Sequence, residues 1–463
     1  MIFTVNEIVR ITKGRLAQGD GLSKIRQVSI DSRRIGAGQL FVAVQGGRHD
    51  GHDYVAQAFR RGAVAAVVSR SNLGQISSKR GLIMVDDTVR ALGWIARAYR
   101  RRFHLPVVAI TGSTGKSTTK EMIAYLLKGD YRVLNNPGTE NNQFGVPLTL
   151  MKIRSHHQML VLELGTNRPG DIAWLASICE PDVAVFTNVG ESHLERLKSP
   201  GQVFQEKKTL IPATRADGTV IINKDDRFLK TLLRAKISQR VLTYGIQGTA
   251  DFQAGGIRSR ARDGWAFCVN NRYPMLIRSN AYHNIYNALA AVACARLFKV
   301  DYKKISDRLA RCSYMHGRQT VWKAGGVFII DDSYNANPVS FESALLTLRD
   351  FSCSGRRILV CADMLELGRQ SRPLHTRCGL RAAQSGVDAV FGYGPEAWHL
   401  IRAVRKARPK ITAHHFRLRR DLNEHLFHYC QRGDVCLVKG SRAMAMDQTV
   451  TTLHHQLRSN KGR

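Results

Sequence analysis

Short runs of apolar, often β-branched residues alternate along most of the chain with longer amphipathic stretches. The runs at 107–111, 160–165, 183–189 and 218–223 are separated by segments whose apolar residues have helical spacing. This alternation is typical of crossover connections between parallel strands, so it predicts an α/β fold with a mainly parallel sheet. The same rhythm resumes after residue 326, which predicts a further doubly wound α/β sheet in the last part of the chain.

Two breaks in this pattern divide the chain. The amphipathic stretch 91–103 ends at His104-Leu105-Pro106, and Gly325-Gly326 interrupts the alternation a second time. The length of 463 residues also suits three domains, at roughly 150 residues for each. The predicted domains are 1–104, 105–324 and 325–463.

The charge balance raises the question whether the protein binds nucleic acid. The chain carries 70 Lys and Arg against 36 Asp and Glu, which gives a net charge of +34. A nucleic-acid-binding protein usually concentrates its charge in one basic stripe, whereas the excess here is spread over all three segments. A nucleoside-triphosphate-binding protein that also binds nucleic acid is therefore only the alternative hypothesis, and we expect no nucleic acid as partner.

The cysteines and the N-terminus bear on the compartment. The nine cysteines form an odd set without a CxxC pair, which argues against a disulfide framework and against a zinc ribbon. The first ten residues lack the basic start and apolar core of a secretory signal, and no run approaches the ~18 apolar residues of a membrane span. We expect a soluble protein of the reducing cytoplasm.

The segment 107–119 carries the strongest chemical signal. An apolar strand runs into a glycine-rich turn and then into a helical pattern, the arrangement in which backbone N–H groups and a helix N-terminus bind phosphate. Lys116 can reach the β- and γ-phosphates, and Ser117 can offer its hydroxyl to Mg²⁺. Ile110 stands where the usual GxxxxGK[ST] pattern has its first glycine. The residues predicted to bind ATP here are Gly112, Ser113, Thr114, Gly115, Lys116, Ser117 and Thr118.

Polar side chains at the ends of the next two strands extend this signal. Glu163 ends an apolar strand, where a carboxylate is costly to bury without a cation or donors, and it either binds magnesium or caps the following helix. Asn188 lies at the end of the apolar run 183–189, and His193 follows it. Ligands of open α/β sheets collect at the carboxyl ends of the strands, so we expect these side chains near Lys116.

Further motifs give the chain a family resemblance. The most discriminating is DDSYNANP at 331–338, and all three segments contribute others. On these motifs the sequence is identified as a member of the Mur ligase family. The other matching segments are DSRRIGAGQLFVAVQGGRHDGHDY at 31–54, TGSTGKSTTK at 111–120, GTENNQFGVPLTL at 138–150, ELGTNRPGDI at 163–172, TNVGESHLERLKS at 187–199, HNIYNALAA at 283–291, GR at 317–318, ADMLELG at 362–368 and VKGSRAMAMD at 438–447.

The resemblance implies an ATP-dependent ligase that forms an amide bond through an acyl phosphate. More narrowly, the sequence resembles the branch of the family that joins D-alanyl-D-alanine to UDP-N-acetylmuramoyl-tripeptide in peptidoglycan synthesis. The last segment lacks the DNPR-type motif of a sister ligase. The resemblance also implies a UDP-binding N-terminal domain, a central P-loop ATPase domain, a Rossmann-like C-terminal domain and a monomer. A sister ligase with another amino-acid substrate stays open, and so does the third residue of the tripeptide, lysine or meso-diaminopimelate.

The same resemblance implies a metal site with two Mg²⁺ ions. Ser117 and Glu163 would hold one ion. His193 would hold the second together with a carbamylated lysine, at Lys207 or, in the alternative register, at Lys208. The implied catalytic residues are Lys116, Glu163, His193 and Lys207.

Nucleotide and substrate contacts are implied in the same way. Asn287 would lie near the adenine, Arg318 at the phosphates and Asp332 at the ribose, with His283 assisting. Asn337-Pro338 is equally typical of a plain turn. The residues implied in substrate binding are Ser32, Arg33 and Asp50 for the uridine nucleotide, and Asn188, Tyr334, Asn335, Asn337, Lys439, Ser441 and Arg442 for the peptide substrates.

Overall fold

The computed structural model describes residues 3–47, 49–71, 80–313 and 316–459. Most of its strands form three mostly parallel sheets that follow one another along the chain, and helices connect most of the parallel strands. This confirms the predicted α/β class. All nine cysteines are free. Over the ranges just given, no helix combines the length and the apolar composition that crossing a bilayer requires.

A five-stranded sheet forms the N-terminal part, called the first sheet below. Its strands are β2 (Arg15–Gln18), β4 (Gln27–Ser29), β5 (Gln39–Val42), β6 (Ala65–Ser69) and β7 (Gly81–Val85), and β1 (Phe3–Thr4) pairs separately with β3 (Lys24–Ile25). The order across the sheet is β2-β7-β6-β5-β4, and only β2 is antiparallel to its neighbour. The helices are α1 (Val5–Thr12), α2 (Val55–Arg60) and α3 (Thr88–Arg100).

A nine-stranded sheet, the second sheet, forms the middle. Its strands are β8 (Val107–Thr111), β9 (Val133–Asn135), β10 (Met159–Glu163), β11 (Val183–Phe186), β12 (Thr219–Asn223), β13 (Arg240–Gly245), β14 (Phe252–Ser259), β15 (Trp265–Val269) and β16 (Tyr273–Ile277). The order is β16-β15-β14-β13-β12-β11-β8-β10-β9. Its helices are α4 (Lys116–Lys128), α5 (Gly145–Leu150), α6 (Asp171–Cys179), α7 (Leu194–Leu197), α8 (Pro200–Lys208), α9 (Leu210–Ala213), α10 (Asn284–Leu297) and α11 (Tyr302–Leu309).

The connections in the second sheet reverse direction at β8, which lies between β10 and β11. Such a reversal opens a crevice outside the carboxyl ends of the strands, because the connections leave on opposite sides. All five residues of β8 are buried, so the turn that follows this strand rises from the middle of the sheet. The topology therefore places residues 112–115 at the crevice.

A six-stranded third sheet follows. Its strands are β17 (Thr320–Ala324), β18 (Val327–Asp332), β19 (Arg357–Ala362), β20 (Ala389–Tyr393), β21 (Thr412–Phe416) and β22 (Val435–Lys439), in the order β17-β18-β22-β19-β20-β21 with only β17 antiparallel. Gly325 and Gly326 form the turn of the hairpin between β17 and β18. The helices are α12 (Pro338–Asp350), α13 (Ser371–Gln384), α14 (Ala397–Ala407), α15 (Arg419–Tyr429) and α16 (Asp447–Ser459).

Helix α3 joins the first sheet to the second. It packs on α5 and α6, and Trp94 meets Trp174 edge to face with ring centroids 4.9 Å apart. Arg97 and Arg101 form ion pairs of 3.0 and 2.5 Å with Glu180 at the end of α6. One connected cluster of buried apolar side chains includes residues from all three sheets. The first sheet is thus attached through a packed, charge-paired helix.

Candidate active site

A cavity of about 440 Å³ lies where the carboxyl ends of the second sheet face the third sheet. Loops after β8, β10, β11, β18 and β22 contribute to its wall, as expected for two switch points that face each other. The predicted residues that line it are Ser113, Thr114, Gly115, Lys116, Ser117, Thr118, Glu163, His193, His283, Arg318, Asp332, Tyr334, Asn335, Asn337 and Lys439. Most of the site residues predicted from the second and third segments are therefore brought together.

The turn between β8 and α4 has the predicted form of a phosphate-binding loop. Gly115 precedes α4 with φ 77°, and a Cβ there would lie 2.4 Å from Oδ1 of Asn287. A Cβ on Gly112 would lie 1.8 Å from Oγ1 of Thr187. Both positions therefore need glycine, since the loop passes too close to its neighbours for any side chain.

Lys116 begins α4 and turns back over this loop. Its Nζ donates to the carbonyl of Gly112 at 2.8 Å. Burial lowers the pKa of Lys116, the nearby carboxylate of Glu163 raises it, and Arg318 lowers it further. The amine is thus held at the mouth of the loop between one acidic and one basic neighbour.

Glu163 is fully enclosed at the end of β10. Its Oε2 accepts from the Ser117 hydroxyl at 2.5 Å, and its Oε1 accepts from Nδ2 of Asn141 at 2.6 Å. Asn136 brackets the backbone of Glu163, accepting from its N–H at 2.9 Å and donating to its carbonyl at 3.1 Å. The two asparagines fix the carboxylate beside Ser117, and sequence reasoning did not single them out.

The alternative that Glu163 caps the following helix is wrong. Helix α6 begins at Asp171, and it is Glu206 that accepts from the backbone N–H groups of Gly170 at 2.7 Å and Ile172 at 2.8 Å. Glu206 is buried on α8. No sequence signal marks it, because thirty-four or more residues separate it from the groups that it caps.

Lys207 follows Glu206 on α8 and is buried, whereas Lys208 is half-exposed. Burial lowers the pKa of Lys207 well below its usual range, and the positive charge of Lys116 adds to this, although Glu206 opposes it. Within the described ranges no residue accepts a hydrogen bond from the Lys207 amine. His193, directly before α7, donates through Nδ1 to Oε2 of Glu366 at 2.6 Å.

Arg318 reaches into the cavity from the segment before β17. Its Nη2 donates to Oγ of Ser117 at 2.8 Å, and its guanidinium lies 4.2 Å above the ring of Tyr334. Its Nε is buried and finds no hydrogen-bond acceptor among the described residues. A guanidinium N–H needs an acceptor, and a phosphate oxygen forms a strong, charge-assisted hydrogen bond of this kind.

Asp332 and Lys439 end the adjacent strands β18 and β22 and face each other. Nζ of Lys439 donates to Oδ2 of Asp332 at 2.7 Å and to the carbonyl of Asn335 at 3.0 Å. Burial raises the pKa of Asp332 although the lysine acts against it, and burial together with Lys439 lowers the pKa of His283 to about 4. Lys439 therefore donates its hydrogen bonds to other residues of the site.

Other predicted contact residues serve the architecture instead. Asn287 does not line the cavity and accepts from Oγ1 of Thr119 beneath the phosphate loop at 3.1 Å. Asn188 accepts from the N–H of Thr114 at 2.9 Å, so it holds that loop from β11. Asn337 lines the cavity and also caps α12 by accepting from the N–H of Ser340 at 2.9 Å, so Asn337-Pro338 begins a helix and not a plain turn.

Ser441 and Arg442 lie just beyond β22. Ser441 accepts from the N–H of Leu365 at 2.9 Å, so its hydroxyl ties two loops of the third sheet together. Arg442 pairs with Asp447 at 3.1 Å and lies 5.9 Å from the ring centre of Tyr334. Neither lines the cavity.

Comparison with known proteins decides the family. Residues 110–295 match the Mur ligase middle domain, residues 317–442 the Mur ligase glutamate ligase domain, and residues 24–100 the catalytic domain of the Mur ligase family. A UDP-N-acetylmuramoyl-tripeptide:D-alanyl-D-alanine ligase of Bacillus subtilis (strain 168) is 33% identical over 453 residues, which are 97% of this chain and 98% of that protein. The chain belongs to the Mur ligase family.

Solved Mur ligases share the architecture of the whole chain. A crystal structure of MurF from Acinetobacter baumannii is 28% identical, covers 98% of this chain and 99% of its own, and superposes with a TM-score of 0.89. The MurF ligase of Thermotoga maritima in complex with ADP is also 28% identical, covers 94% and 98% of the two chains, and has a TM-score of 0.83. The three-sheet arrangement is therefore that of this family.

The predicted uridine-nucleotide residues of this Mur ligase lie on the first sheet, away from the cavity wall. Ser32 donates to Oε1 of Gln57 at 2.7 Å, exposed Arg33 pairs with Asp31 at 2.9 Å, and Asp50 accepts from the N–H of His52 at 3.0 Å. The glycine-rich loop 46–51 leads through a 3₁₀ turn at Gly51–Tyr54 directly into α2. Arg48 of that loop lies outside the described residues.

Proposed function

We propose that this Mur ligase joins D-alanyl-D-alanine to UDP-N-acetylmuramoyl-tripeptide, with ATP converted to ADP and phosphate. The observation that carries the proposal is the cavity in which the phosphate loop, Glu163, Arg318 and Asp332 converge. Relatives with this activity in their names match nearly the whole chain, and a solved neighbour of the same fold holds ADP. The product is the pentapeptide precursor of peptidoglycan.

The reaction needs an activated carboxylate, because a free carboxylate resists attack by an amine. Transfer of the γ-phosphoryl group of ATP to the tripeptide carboxylate gives an acyl phosphate, and the amine of D-alanyl-D-alanine then displaces phosphate through a tetrahedral intermediate. Negative charge gathers on the phosphoryl oxygens during the transfer. Lys116 and Arg318 both line the cavity and stabilise that charge, and the preceding backbone N–H groups of the loop assist.

The site's oxygen atoms fit magnesium at one position. The hydroxyl of Ser117 and the carboxylate of Glu163 are 2.5 Å apart and buried, and hard oxygen donors of this kind suit Mg²⁺. A magnesium ion bound here would neutralise phosphate charge. Asn141 and Asn136 would keep the carboxylate oriented toward it.

The family resemblance assigns a second Mg²⁺ to His193 together with a carbamylated lysine, whose added oxygen atoms suit a hard cation. We propose that Lys207 and not Lys208 carries the carbamate. Burial and the nearby Lys116 favour the neutral amine of Lys207, which is the form that adds carbon dioxide. Half-exposed Lys208 has no comparable environment.

Closure of the third sheet over the second suits this chemistry. Asp332 and Tyr334 reach the cavity from the third sheet and face Thr139 and the phosphate loop of the second, with the Tyr334 hydroxyl donating to Oγ1 of Thr139. An acyl phosphate hydrolyses in water, so its enclosure protects it until the amine arrives. Asp332 is oriented by Lys439 for a hydroxyl-bearing ligand such as ribose.

We further propose a monomeric cytoplasmic enzyme with three domains, of which the first spans residues 1–104 and the second ends earlier than the boundary at 324/325 expected from the sequence. The hairpin that joins β17 to β18 favours a second boundary before Thr320, since β17 pairs with the third sheet. Limited proteolysis would locate both boundaries, and sedimentation velocity would give the oligomeric state.

Phosphate release from ATP, measured with each combination of the two substrates, tests the function. We expect release only when the UDP-linked tripeptide and D-alanyl-D-alanine are both present. Release with a single amino acid in place of the dipeptide would favour a sister ligase. Running the assay with lysine-containing and with meso-diaminopimelate-containing tripeptides identifies the accepted third residue.

A further inference from the structure

The loop after β19 contacts the loop after β11 directly at His193. Nδ1 of His193 lies 2.6 Å from Oε2 of Glu366, although 173 residues separate the two. The backbone carbonyl of Glu366 also accepts from the N–H of Glu195 at 2.9 Å. Two different groups of one residue thus hold the same short loop from the third sheet.

Both partners have an unusual backbone. His193 has φ 54° and Glu366 has φ 63°, and non-glycine residues reach this left-handed region only at a cost that the surrounding contacts must offset. Gly368 supports the contact, because a Cβ there would lie 3.0 Å from Cα of Glu195. The geometry of the pair is therefore imposed by the fold on both sides.

The pairing determines which imidazole nitrogen faces the cavity. An ionised carboxylate can only accept, so Nδ1 of His193 must carry the proton that is donated to Glu366. In the neutral ring Nε2 then holds the lone pair, and no described residue donates to it. His193 lines the cavity, whereas Glu366 does not. A carboxylate on one nitrogen and a free lone pair on the other is the arrangement of histidines that bind metal ions.

We propose that Glu366 is a positioning residue that orients His193 from the third sheet. His193 is then oriented to bind the cation only while the loop after β19 contacts the loop after β11. The inference rests on the proposed function, because it assigns His193 to the second Mg²⁺ site. It adds a role for Glu366 that neither the phosphate loop nor the cavity lining indicates. Glu366 would couple the position of the third sheet to cation binding on the second.

A neighbouring contact separates this role from simple attachment of the two sheets. Arg377 on α13 forms a two-bonded ion pair with Glu191, two residues before His193, and one of its bonds is 2.9 Å long. This pair joins the same two parts of the molecule but has no hydrogen bond to His193. If Glu366 only holds the second and third sheets together, replacing Glu366 and replacing Arg377 must have the same effect on the Mg²⁺ dependence.

The test compares Glu366→Ala, Glu366→Gln and Arg377→Ala with the wild type, each measured for phosphate release over a range of Mg²⁺ concentrations. We expect Glu366→Ala to raise the half-saturating Mg²⁺ concentration by about 10- to 100-fold, with most of kcat recovered at high Mg²⁺. Glu366→Gln should recover part of the affinity, because its amide oxygen still accepts from Nδ1. Arg377→Ala should leave the Mg²⁺ dependence within about 2-fold of wild type, as should the control Glu195→Gln on the same loop.

A second readout needs no turnover. Side-chain ¹⁵N spectra of histidine-labelled protein, with His193→Ala to assign the signal, report which ring nitrogen carries the proton. We expect a protonated Nδ1 in the wild type and mixed tautomers in Glu366→Ala. An unchanged tautomer with unchanged Mg²⁺ dependence, or equal shifts in Glu366→Ala and Arg377→Ala, would overturn the proposal. Failure of the proposed function would appear separately, as a wild type that releases no phosphate with both substrates.

Discussion

The cavity between the second and third sheets differs sharply from the predicted sugar-nucleotide loops of the first sheet. In the cavity, Arg318 and Asp332 come from distant parts of the chain to Lys116, and the buried Nε of Arg318 lacks a protein partner among the described residues. In the first-sheet loops, Ser32 forms a hydrogen bond with Gln57, twenty-five residues away, and Arg33 forms one with Asp31, two residues away.

This difference teaches how each kind of site is specified. The cavity follows from sheet topology, since strand ends at a switch point converge whatever the ligand. The first-sheet loops have no such convergence, and their side chains satisfy one another locally. Substitutions of the assigned cavity residues should therefore have large effects on ligand binding or catalysis. Substitutions of the assigned first-sheet residues should have small effects.

Lys116→Ala should produce the largest effect. Loss of a fixed positive charge at the transferred phosphoryl group should lower kcat by about 1,000-fold, as for other preorganised charge-stabilising groups. Binding of the sugar nucleotide should stay near the wild-type value. The matched control is Lys128→Ala, at the exposed end of the same helix. Equal loss of ligation and of sugar-nucleotide binding would contradict the phosphate-loop role.

Arg318→Ala should come next. A hydrogen bond between charged groups contributes about 1.5–3 kcal/mol, so the KM for ATP should rise roughly 10- to 150-fold. The KM for the sugar nucleotide should change much less, because Arg318 contacts Ser117 of the phosphate loop. Exposed Arg311 provides the arginine control. A larger effect on the sugar nucleotide than on ATP would move Arg318 to the other ligand.

Arg33→Ala examines the weaker side of the comparison. Because the Arg33 side chain is 80% exposed, solvent screens its contact with a diphosphate, and the KM for the sugar nucleotide should rise only roughly 3-fold. The neighbour Arg34, whose side chain is 88% exposed, is the control. Identical values for Arg33→Ala and Arg34→Ala would remove Arg33 from the site.

The join between the first and second sheets should produce a small effect on stability and not on catalysis. Burial raises the pKa of Glu180, but hydrogen bonds from Arg101 and Arg97 outweigh it, so the net pKa lies below its ordinary value. A carboxylate with a lowered pKa stabilises the fold above its ordinary pKa of 4.5, and this contribution disappears as the pH falls through the lower folded value.

Urea unfolding of Glu180→Gln measures this contribution. At pH 7 the variant should be about 0.5–1 kcal/mol less stable than wild type, because the pair is only partly buried. The difference should vanish in acid. A difference that persists at low pH would mean that Glu180 acts by packing and not by charge.

The order of elements could be read from the sequence, because apolar periodicity is a local property. Strands β8, β10, β11, β18 and β22 lie where the alternating runs predict them, and the turn before Lys116 has its phosphate-binding form because its two glycines lie three residues apart in one short segment. Lys116, Ser117 and Glu163 follow from the same local logic, since each stands at the end of a strand or the start of a helix.

Partnerships between distant residues could not be predicted in this way. Asn287 supports the phosphate loop from below, and Glu206, not Glu163, caps α6. The contact of Glu366 with His193 joins loops from two different sheets. A side chain's type indicates which bonds it can make, but packing decides which partner lies within 3 Å of it. The sequence alone determined the sheets, the phosphate loop and the family of this protein, and only the tertiary structure decided which of its polar residues face ligands and which hold the others in place.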